Sequence, residues 1–175
     1  MSALRLVDLP TGWTILLDIA VWFVIHMGVV LMMVSLPVSC FDPTAWLFRA
    51  RAWEAGGRLY ESVFRIRAWK EHLPDGAEWM RHGSFPKRRL ERRGTPYLER
   101  FARETCRAEV THLLTMLWAP AFFLWNPLWV GWFMIGYATV ENVPLVVAQR
   151  YNRLRIERVL ARRRSRPGAA RDETS

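Results

Sequence analysis

The sequence predicts an all-α integral membrane protein with about three membrane helices and a basic, amphipathic helical region at the membrane surface. Two apolar stretches are separated by a long region rich in arginine. The chain also holds 10 Trp residues, and Trp favours the membrane–water interface because its ring is apolar and its N–H is polar. The formal net charge of +9 is concentrated between and after the apolar stretches. This alternation favours membrane segments with cytoplasmic loops over a nucleic-acid-binding domain.

The first apolar stretch covers residues 13–36 and ends just before Pro37. With a rise of about 1.5 Å per residue, a helix of this length crosses a hydrocarbon core of about 30 Å with some tilt. A signal peptide is a poor alternative, because the apolar stretch is too long and lacks both a basic start and a small-residue cleavage site. The sequence therefore predicts an N-terminal transmembrane helix within residues 1–40.

The second apolar stretch begins at residue 111, and the turn dipeptide Asn126-Pro127 divides it. We expect a helical hairpin within residues 111–156. Its first limb is short, so it either extends back before residue 111 or does not fully span; a re-entrant hairpin is the alternative. Both ends of the hairpin adjoin basic segments, so the positive-inside rule places the N-terminus outside, with the central region and the C-terminus in the cytoplasm.

Residues 41–110 are expected to form a cytoplasmic or interfacial helical region. Trp46, Trp53 and Tyr60 recur every seven residues among arginines, which is typical of a helix in the headgroup region, and Gly56-Gly57 should break that helix. Packing on the protein's own membrane helices is the alternative. Anionic lipid headgroups are the expected partners of the arginine-rich segments, and the basic tail, residues 157–175, is expected to be disordered.

Ionisable residues inside membrane segments are costly, so each needs a partner or a function. Glu109 and His112 are three residues apart and lie on one helical face, where a carboxylate can orient an imidazole that acts as a general base. An interfacial ion pair is the structural alternative. Asp18 and His26 lie on one broad side of the first helix, and we expect them to serve structural pairing. Two cysteines and a single Glu-x-x-His pair predict no metal site.

Polar residues also follow one stripe near the end of the hairpin, formed by Asn142, Gln149 and Arg153. Glu141 must be paired, protonated or in contact with water. Arg150 and Arg153 are placed at the cytoplasmic rim, where guanidinium groups can hold phosphate or carboxylate.

Three sequence blocks resemble the bacterial glycosyl-4,4′-diaponeurosporenoate acyltransferase family, whose members are small membrane enzymes of carotenoid biosynthesis. The blocks are FRIRAWKEHLPDG (64–76), RAEVTHLL (107–114) and YATVENVPLVVAQRYNRLRI (137–156), and they follow the order and spacing of the family. The block from NVP to QRYNR is the most specific, because no general property of membrane helices requires that string. Glu141, the arginine-rich tail and the high Trp content depart from the family pattern.

The resemblance implies transfer of a fatty acyl group from a thioester, either acyl-coenzyme A or an acyl carrier protein, to a sugar hydroxyl of a glycosylated lipid. No bound cofactor is expected. We predict that His112 is the general base, oriented by Glu109. Asn142 or Gln149 could donate to the oxyanion, and Lys70, Arg150 and Arg153 could hold donor phosphates. The remaining residues of the blocks that are expected to bind substrate are Asp75, Arg107, Tyr151 and Asn152.

The acceptor is left open between a carotenoid glycoside and another glycolipid. The alternative function is a non-catalytic membrane partner that holds other lipid- or carotenoid-pathway enzymes together. A phosphotransferase is disfavoured, because no acidic metal motif is present. The expected location is the bacterial cell membrane, with several crossings, and the expected partners are lipids rather than nucleic acid. Homo-oligomerisation is left open.

Overall fold

The computed structural model describes residues 9–69 and 94–165, and every regular element in these two ranges is helical. The predicted all-α class is therefore confirmed for the part of the chain that is described. Short 3₁₀ turns occupy Val38–Cys40, Ala52–Gly57 and Ala119–Leu124. The α-helices are α1 (Thr11–Ser35), α2 (Arg58–Ser62), α3 (Ile66–Trp69), α4 (Thr95–Leu117) and α5 (Leu128–Arg164).

Two of these helices, α1 and α5, are long and apolar enough by length and composition to cross a membrane. The bounds of α1 agree closely with the predicted stretch 13–36. Most large apolar side chains of α1 are exposed, among them Ile19, Phe23 and Val24. Soluble proteins rarely expose so large an apolar surface, which supports association of the protein with a membrane.

The third predicted membrane helix is not confirmed. Helix α4 begins in the charged region and ends at Leu117, so residues 111–125 do not form one helix. Pro120 explains the end of α4, because proline lacks the backbone N–H and its ring clashes with the carbonyl four residues earlier. The first limb of the hairpin thus does extend back before residue 111, and a 3₁₀ turn completes it.

The described residues group into two compact units. The first, called the apolar unit, consists of the described residues within Met1–Pro37 and Arg107–Val146; the second, called the basic unit, consists of those within Val38–Cys106 and Val147–Ser175. The predicted boundaries after residues 110 and 156 fall inside α4 and α5. Hydropathy along the sequence changes at those positions, but the two helices continue through them.

The apolar unit is organised around Trp22 of α1. Its ring stacks on Phe122 with 4.7 Å between the centroids and meets the edge of Tyr137 at 5.6 Å. Its indole N–H donates to the sulfur of Met134 at 3.3 Å. Because these partners come from the 3₁₀ turn and from α5, Trp22 joins α1 to both segments.

The hairpin turn of the apolar unit is tied to α1 by Asp18. The Asp18 carboxylate accepts from the indole N–H of Trp125 at 2.7 Å and from the amide of Asn126 at 2.8 Å. Asp18 is 7% exposed, so these two donors supply the hydrogen bonds that a buried carboxylate requires. The structural role expected for Asp18 is observed, but its partners lie at the hairpin turn and not at His26.

The basic unit opens with tight turns rather than one amphipathic helix. Gly57, with φ 100°, and Gly56, with φ 64°, adopt the left-handed conformation, so the helix break expected there is present. Trp46 and Trp53 are exposed, but Tyr60 is only 5% exposed and packs in a core with α5. The three aromatic residues therefore do not share one face, because the turn at the glycines directs Tyr60 away from the other two.

Candidate active site

The candidate site of the apolar unit is built on a hydrogen bond between α4 and α5. His112 Nδ1 lies 2.9 Å from Asn142 Oδ1. Asn142 is 2% exposed, and its amide nitrogen donates to the carbonyl of Ala138 one turn earlier at 2.9 Å. That second bond fixes which end of the amide faces His112.

The orientation of Asn142 determines the tautomer of His112. An amide oxygen only accepts hydrogen bonds, so Nδ1 must carry the proton that it shares with Asn142. In the neutral imidazole the other nitrogen, Nε2, then keeps its lone pair. The arrangement presents one basic nitrogen in a fixed orientation, as a general base requires.

A second imidazole is held by the residue next to Asn142. His26 of α1 places Nδ1 2.8 Å from the carbonyl oxygen of Trp22 and Nε2 3.6 Å from Oε1 of Glu141. The requirement that Glu141 be paired is thereby met by His26. Sequence reasoning missed this pair because His26 was compared only with Asp18, which shares its helix.

The observed hydrogen-bond partner of His112 is Asn142 on another helix, and not the predicted Glu109. Glu109 lies one turn before His112 on α4 and is 4% exposed, whereas the acceptor at His112 Nδ1 is Asn142. The orienting role at Nδ1 therefore belongs to Asn142, and a contribution of Glu109 to the reaction stays a prediction. Arg107, two residues before Glu109, is half-buried.

In the basic unit, Arg150 is engaged by the protein itself. Its Nε donates to Glu54 Oε1 at 2.7 Å, and its two terminal nitrogens donate to the carbonyls of Leu47 and Arg49, each at 2.8 Å. This geometry gives Arg150 a structural role, and its expected binding of a donor phosphate stays a prediction. All three guanidinium nitrogens anchor the loop around residues 47–54 to α5.

The same network involves Glu54 and Tyr60. Burial raises the pKa of Glu54, but hydrogen bonds from Arg150, Tyr60 and the backbone of Arg51, together with the charge of Arg150, outweigh it and leave the pKa below its ordinary value. Tyr60 donates to Glu54 Oε1 at 2.7 Å, and burial, followed by this bond, raises the pKa of Tyr60. The Glu54 carboxylate is thus the charged centre of a structural network.

Two further predicted substrate ligands are buried in the basic unit. The Tyr151 hydroxyl is 2.7 Å from Glu61 Oε1, and the Tyr151 side chain is fully buried. Arg153 is also 0% exposed, with its guanidinium carbon 5.4 Å from the ring centroid of Phe48. These contacts favour structural roles for Tyr151 and Arg153 over direct binding of substrate.

Four further residues were predicted to bind substrate, and the structure describes two of them. Gln149 and Asn152 are half-buried on the part of α5 that belongs to the basic unit. Lys70 and Asp75 lie outside the described residues. Within the apolar unit, the structure joins two of the predicted site residues, His112 and Asn142, by a hydrogen bond.

Comparison with known proteins identifies the relatives of this chain. A family model described as glycosyl-4,4′-diaponeurosporenoate acyltransferase matches residues 44–162. A protein of that name from Staphylococcus haemolyticus (strain JCSC1435) is 31% identical over 142 residues, which cover 81% of this chain and 82% of the relative. A protein of the same name from Staphylococcus aureus (strain USA300) is 29% identical over 139 residues, which cover 79% and 83%. No solved structure matches the chain at a significant level.

The matched range contains the hydrogen-bonded His112 and Asn142 and the three sequence blocks quoted above. It also spans more than half of the chain. These matches confirm the family resemblance and the prediction of an O-acyltransferase. The chain belongs to the glycosyl-4,4′-diaponeurosporenoate acyltransferase family.

Proposed function

We propose that this protein transfers a fatty acyl group from an acyl thioester to a sugar hydroxyl of a carotenoid glycoside. The observation that carries the proposal is the hydrogen bond between His112 and Asn142, which leaves Nε2 as a basic nitrogen of fixed orientation. The acceptor class comes from the relatives, whose name specifies a glycosyl-4,4′-diaponeurosporenoate acyltransferase. The acyl donor is a coenzyme A thioester or an acyl carrier protein.

In the proposed reaction, His112 Nε2 takes the proton of the sugar hydroxyl as its oxygen attacks the thioester carbonyl. The new C–O bond gives a tetrahedral intermediate, and Asn142 Oδ1 stabilises the imidazolium through the Nδ1 proton. When the C–S bond breaks, the imidazolium returns the proton to the departing thiolate. The products are the ester and the free thiol, so one histidine serves first as base and then as acid.

We assign Asn142 to positioning rather than to the oxyanion. Its oxygen accepts from His112 and its nitrogen donates to the Ala138 carbonyl, so both ends of the amide are hydrogen-bonded within the protein. A side chain fixed in this way holds the imidazole still, and a preorganised base avoids rearrangement during the reaction.

The proposed topology keeps the N-terminus outside and the central region and C-terminus in the cytoplasm. It is supported by the arginine content of residues 41–110 and 149–175, compared with the single Arg of residues 1–40. Exposed Trp13 at the start of α1 and Trp129 at the start of α5 suit the opposite, outer interface. A soluble, phosphate-bearing donor would then reach the enzyme from the basic side.

The test is acyl transfer by the full chain reconstituted in lipid nanodiscs. We expect His112→Ala to lower the rate by about 10²–10⁴-fold, because a general base contributes about that factor. Leu113→Ala, on the next and more exposed position of α4, is the matched control and should keep the wild-type rate. A folded His112→Ala protein with the wild-type rate would remove His112 as the base.

The cellular test is the lipid profile of a deletion strain beside that of the complemented strain. The proposal expects one acylated glycolipid to disappear and its form without the acyl group to accumulate. An unchanged profile would instead support a non-catalytic partner of the pathway enzymes.

A further inference from the structure

The pair formed by His26 and Glu141 is not used by the reaction proposed for His112. His26 Nδ1 faces the Trp22 carbonyl at 2.8 Å, and because a carbonyl only accepts, this nitrogen carries the proton. In the neutral ring Nε2 is then an acceptor aimed at Glu141. The distance from Nε2 to Glu141 Oε1 is 3.6 Å, which is longer than a direct hydrogen bond.

The pair is also open to a ligand. The side chains of His26 and Glu141 are 36% and 38% exposed, whereas Asn142 beside them is 2% exposed. Ionisable groups on membrane helices are costly unless they meet polar partners. Because both facing atoms are acceptors, they need two donated protons, which one water or two neighbouring hydroxyls of a substrate can supply from the exposed side.

The surroundings of the pair combine aromatic rings with a carboxylate. The Trp22 ring lies 5.3 Å from the His26 ring and 5.6 Å from the Tyr137 ring, measured between centroids. Tyr137 precedes Glu141 by one turn of α5 and is 44% exposed. A carboxylate has about four lone-pair positions, so Glu141 can accept from more than one hydroxyl.

The pair of His26 and Glu141 adjoins the residue that holds the candidate base, His112. Glu141 and Asn142 are consecutive on α5, and each holds one imidazole, Glu141 that of His26 and Asn142 that of His112. A ligand bound between His26 and Glu141 is therefore one residue along α5 from Asn142, which holds the proposed base His112. A carboxylate there would repel a phosphate-bearing donor, so the chemistry favours the neutral acceptor.

We propose that His26 and Glu141 form a subsite for the sugar of the acceptor and bind hydroxyl groups next to the one that His112 activates. The proposal rests on the proposed function, and it names the part of the site that recognises the acceptor. Each sugar hydroxyl donates one proton, so two neighbouring hydroxyls can donate, one to the carboxylate and the other to Nε2 of the imidazole. The rings of Trp22 and Tyr137 offer apolar surface to the C–H groups of the sugar.

The experiment uses the full chain in nanodiscs, octyl glucoside below its micelle concentration as the acceptor probe, and palmitoyl-coenzyme A as the donor. We expect Glu141→Gln and His26→Ala each to raise the KM for octyl glucoside by about tenfold or more, because each removes a charged or aligned hydrogen-bond partner. The KM for the donor should stay within about twofold. Val140→Ala, whose side chain is 77% exposed, is the matched control and should change neither constant.

A purely structural pair would give a different result. If the pair only ties α1 to α5, both variants should lower thermal stability while leaving the ratio of the two KM values unchanged, and that outcome overturns the proposal. Binding of tritiated octyl glucoside, measured without donor, tests the sugar subsite separately from the proposed acyl transfer. Binding that depends on Glu141 without any acyl transfer would reject the proposed function and keep the subsite, and the reverse result would reject the subsite alone.

A second experiment uses the wild-type protein alone, so its result does not depend on whether a variant folds. Octyl glucosides that lack one hydroxyl group compete with tritiated octyl glucoside for the site. We expect at least one deoxy analogue to bind about tenfold more weakly, because a hydrogen bond to a charged group is lost. If every deoxy analogue binds within twofold of the parent, the proposed subsite does not exist.

Discussion

The decisive side-chain contact of the apolar unit joins residues 30 positions apart, His112 and Asn142. The sequence predicted His112 as the base, Asn142 as a possible oxyanion donor and Glu109 as the residue that orients His112. Helical periodicity reports which residues share a face of one helix. Periodicity does not show which helix packs against that face. The partner of His112 on α5 therefore became visible only in the structure.

The contact predicts the behaviour of variants at Asn142. Asn142→Leu removes the acceptor of the Nδ1 proton, and we expect the kcat to fall by about 10–100-fold with little change in either KM, because the base loses its fixed tautomer. Asn142→Asp keeps an acceptor and should recover part of the rate. Since a carboxylate favours the protonated imidazole, the acid limb of its pH–rate profile should move to higher pH. An Asn142→Leu enzyme with unchanged kcat would contradict the positioning role.

The buried carboxylate of Glu54 predicts a pH dependence of stability. Its pKa in the folded protein is below the ordinary value near 4.5, so the stabilisation is fully present above that value and is lost as the pH falls through the folded pKa. We expect the thermal midpoint of the wild-type protein to exceed that of Glu54→Gln at neutral pH. The difference between the two should shrink as the pH falls below about 4.5.

Thermal unfolding followed by circular dichroism at several pH values measures this difference. Glu99→Gln provides the control, because its ion pair with Arg164 at 3.3 Å is exposed and contributes little. A pH-independent gap between the wild-type protein and Glu54→Gln would show that Glu54 acts through shape and hydrogen bonding alone.

At the scale of elements, the helices that the sequence predicted best are those whose limits are set by apolar content and by turns. The limits of α1 and the turn at Asn126-Pro127 followed from such signals. The start of α4 at Thr95 was missed, because its first turns carry charged residues and hydropathy alone does not report an amphipathic helix. The short turns of residues 44–69 were also missed, since seven-residue spacing suggested longer helices on both sides of the expected break at Gly56-Gly57.

The hairpin between α4 and α5 predicts a strong effect at Gly131. A Cβ atom at this position would overlap the ring of Phe123, which also meets Trp132 edge-on at 5.6 Å. We expect Gly131→Ala to lower stability by about 1–3 kcal/mol through overpacking. The loss appears as a lower thermal midpoint in nanodiscs.

Gly136 provides the matched control on the same helix. Nothing lies within 4 Å of a Cβ atom built there, so Gly136→Ala should be neutral or slightly stabilising, as alanine favours the helix. Equal effects of the two substitutions would mean that Phe123 moves aside at little cost.

At the scale of the whole molecule, the proposed orientation in the membrane can be tested with Cys40. This cysteine is exposed in the 3₁₀ turn after α1, beside Ser39, whose carbonyl accepts from Arg103 at 3.2 Å. With the N-terminus outside, Cys40 faces the cytoplasm. A membrane-impermeant maleimide should therefore label it in inverted vesicles and not in intact spheroplasts.

Cys106 is buried, and Cys106→Ser gives a chain with Cys40 as its one thiol. Strong labelling of that variant in spheroplasts would reverse the proposed orientation.

The grouping of the chain into two units was not predictable from hydropathy, because each unit combines segments that are far apart in the sequence.

The bond between Asp18 and the hairpin turn has a consequence for the order in which the protein is made. Asp18 and Trp125 are 107 residues apart, so at about 5–20 residues per second the ribosome supplies Trp125 roughly 5–20 s after Asp18. During that interval α1 must enter the bilayer with a carboxyl group whose final donors do not yet exist. A nascent chain halted at residue 110 should therefore insert more efficiently with Asp18→Leu, and that advantage should vanish once the chain has grown past the hairpin.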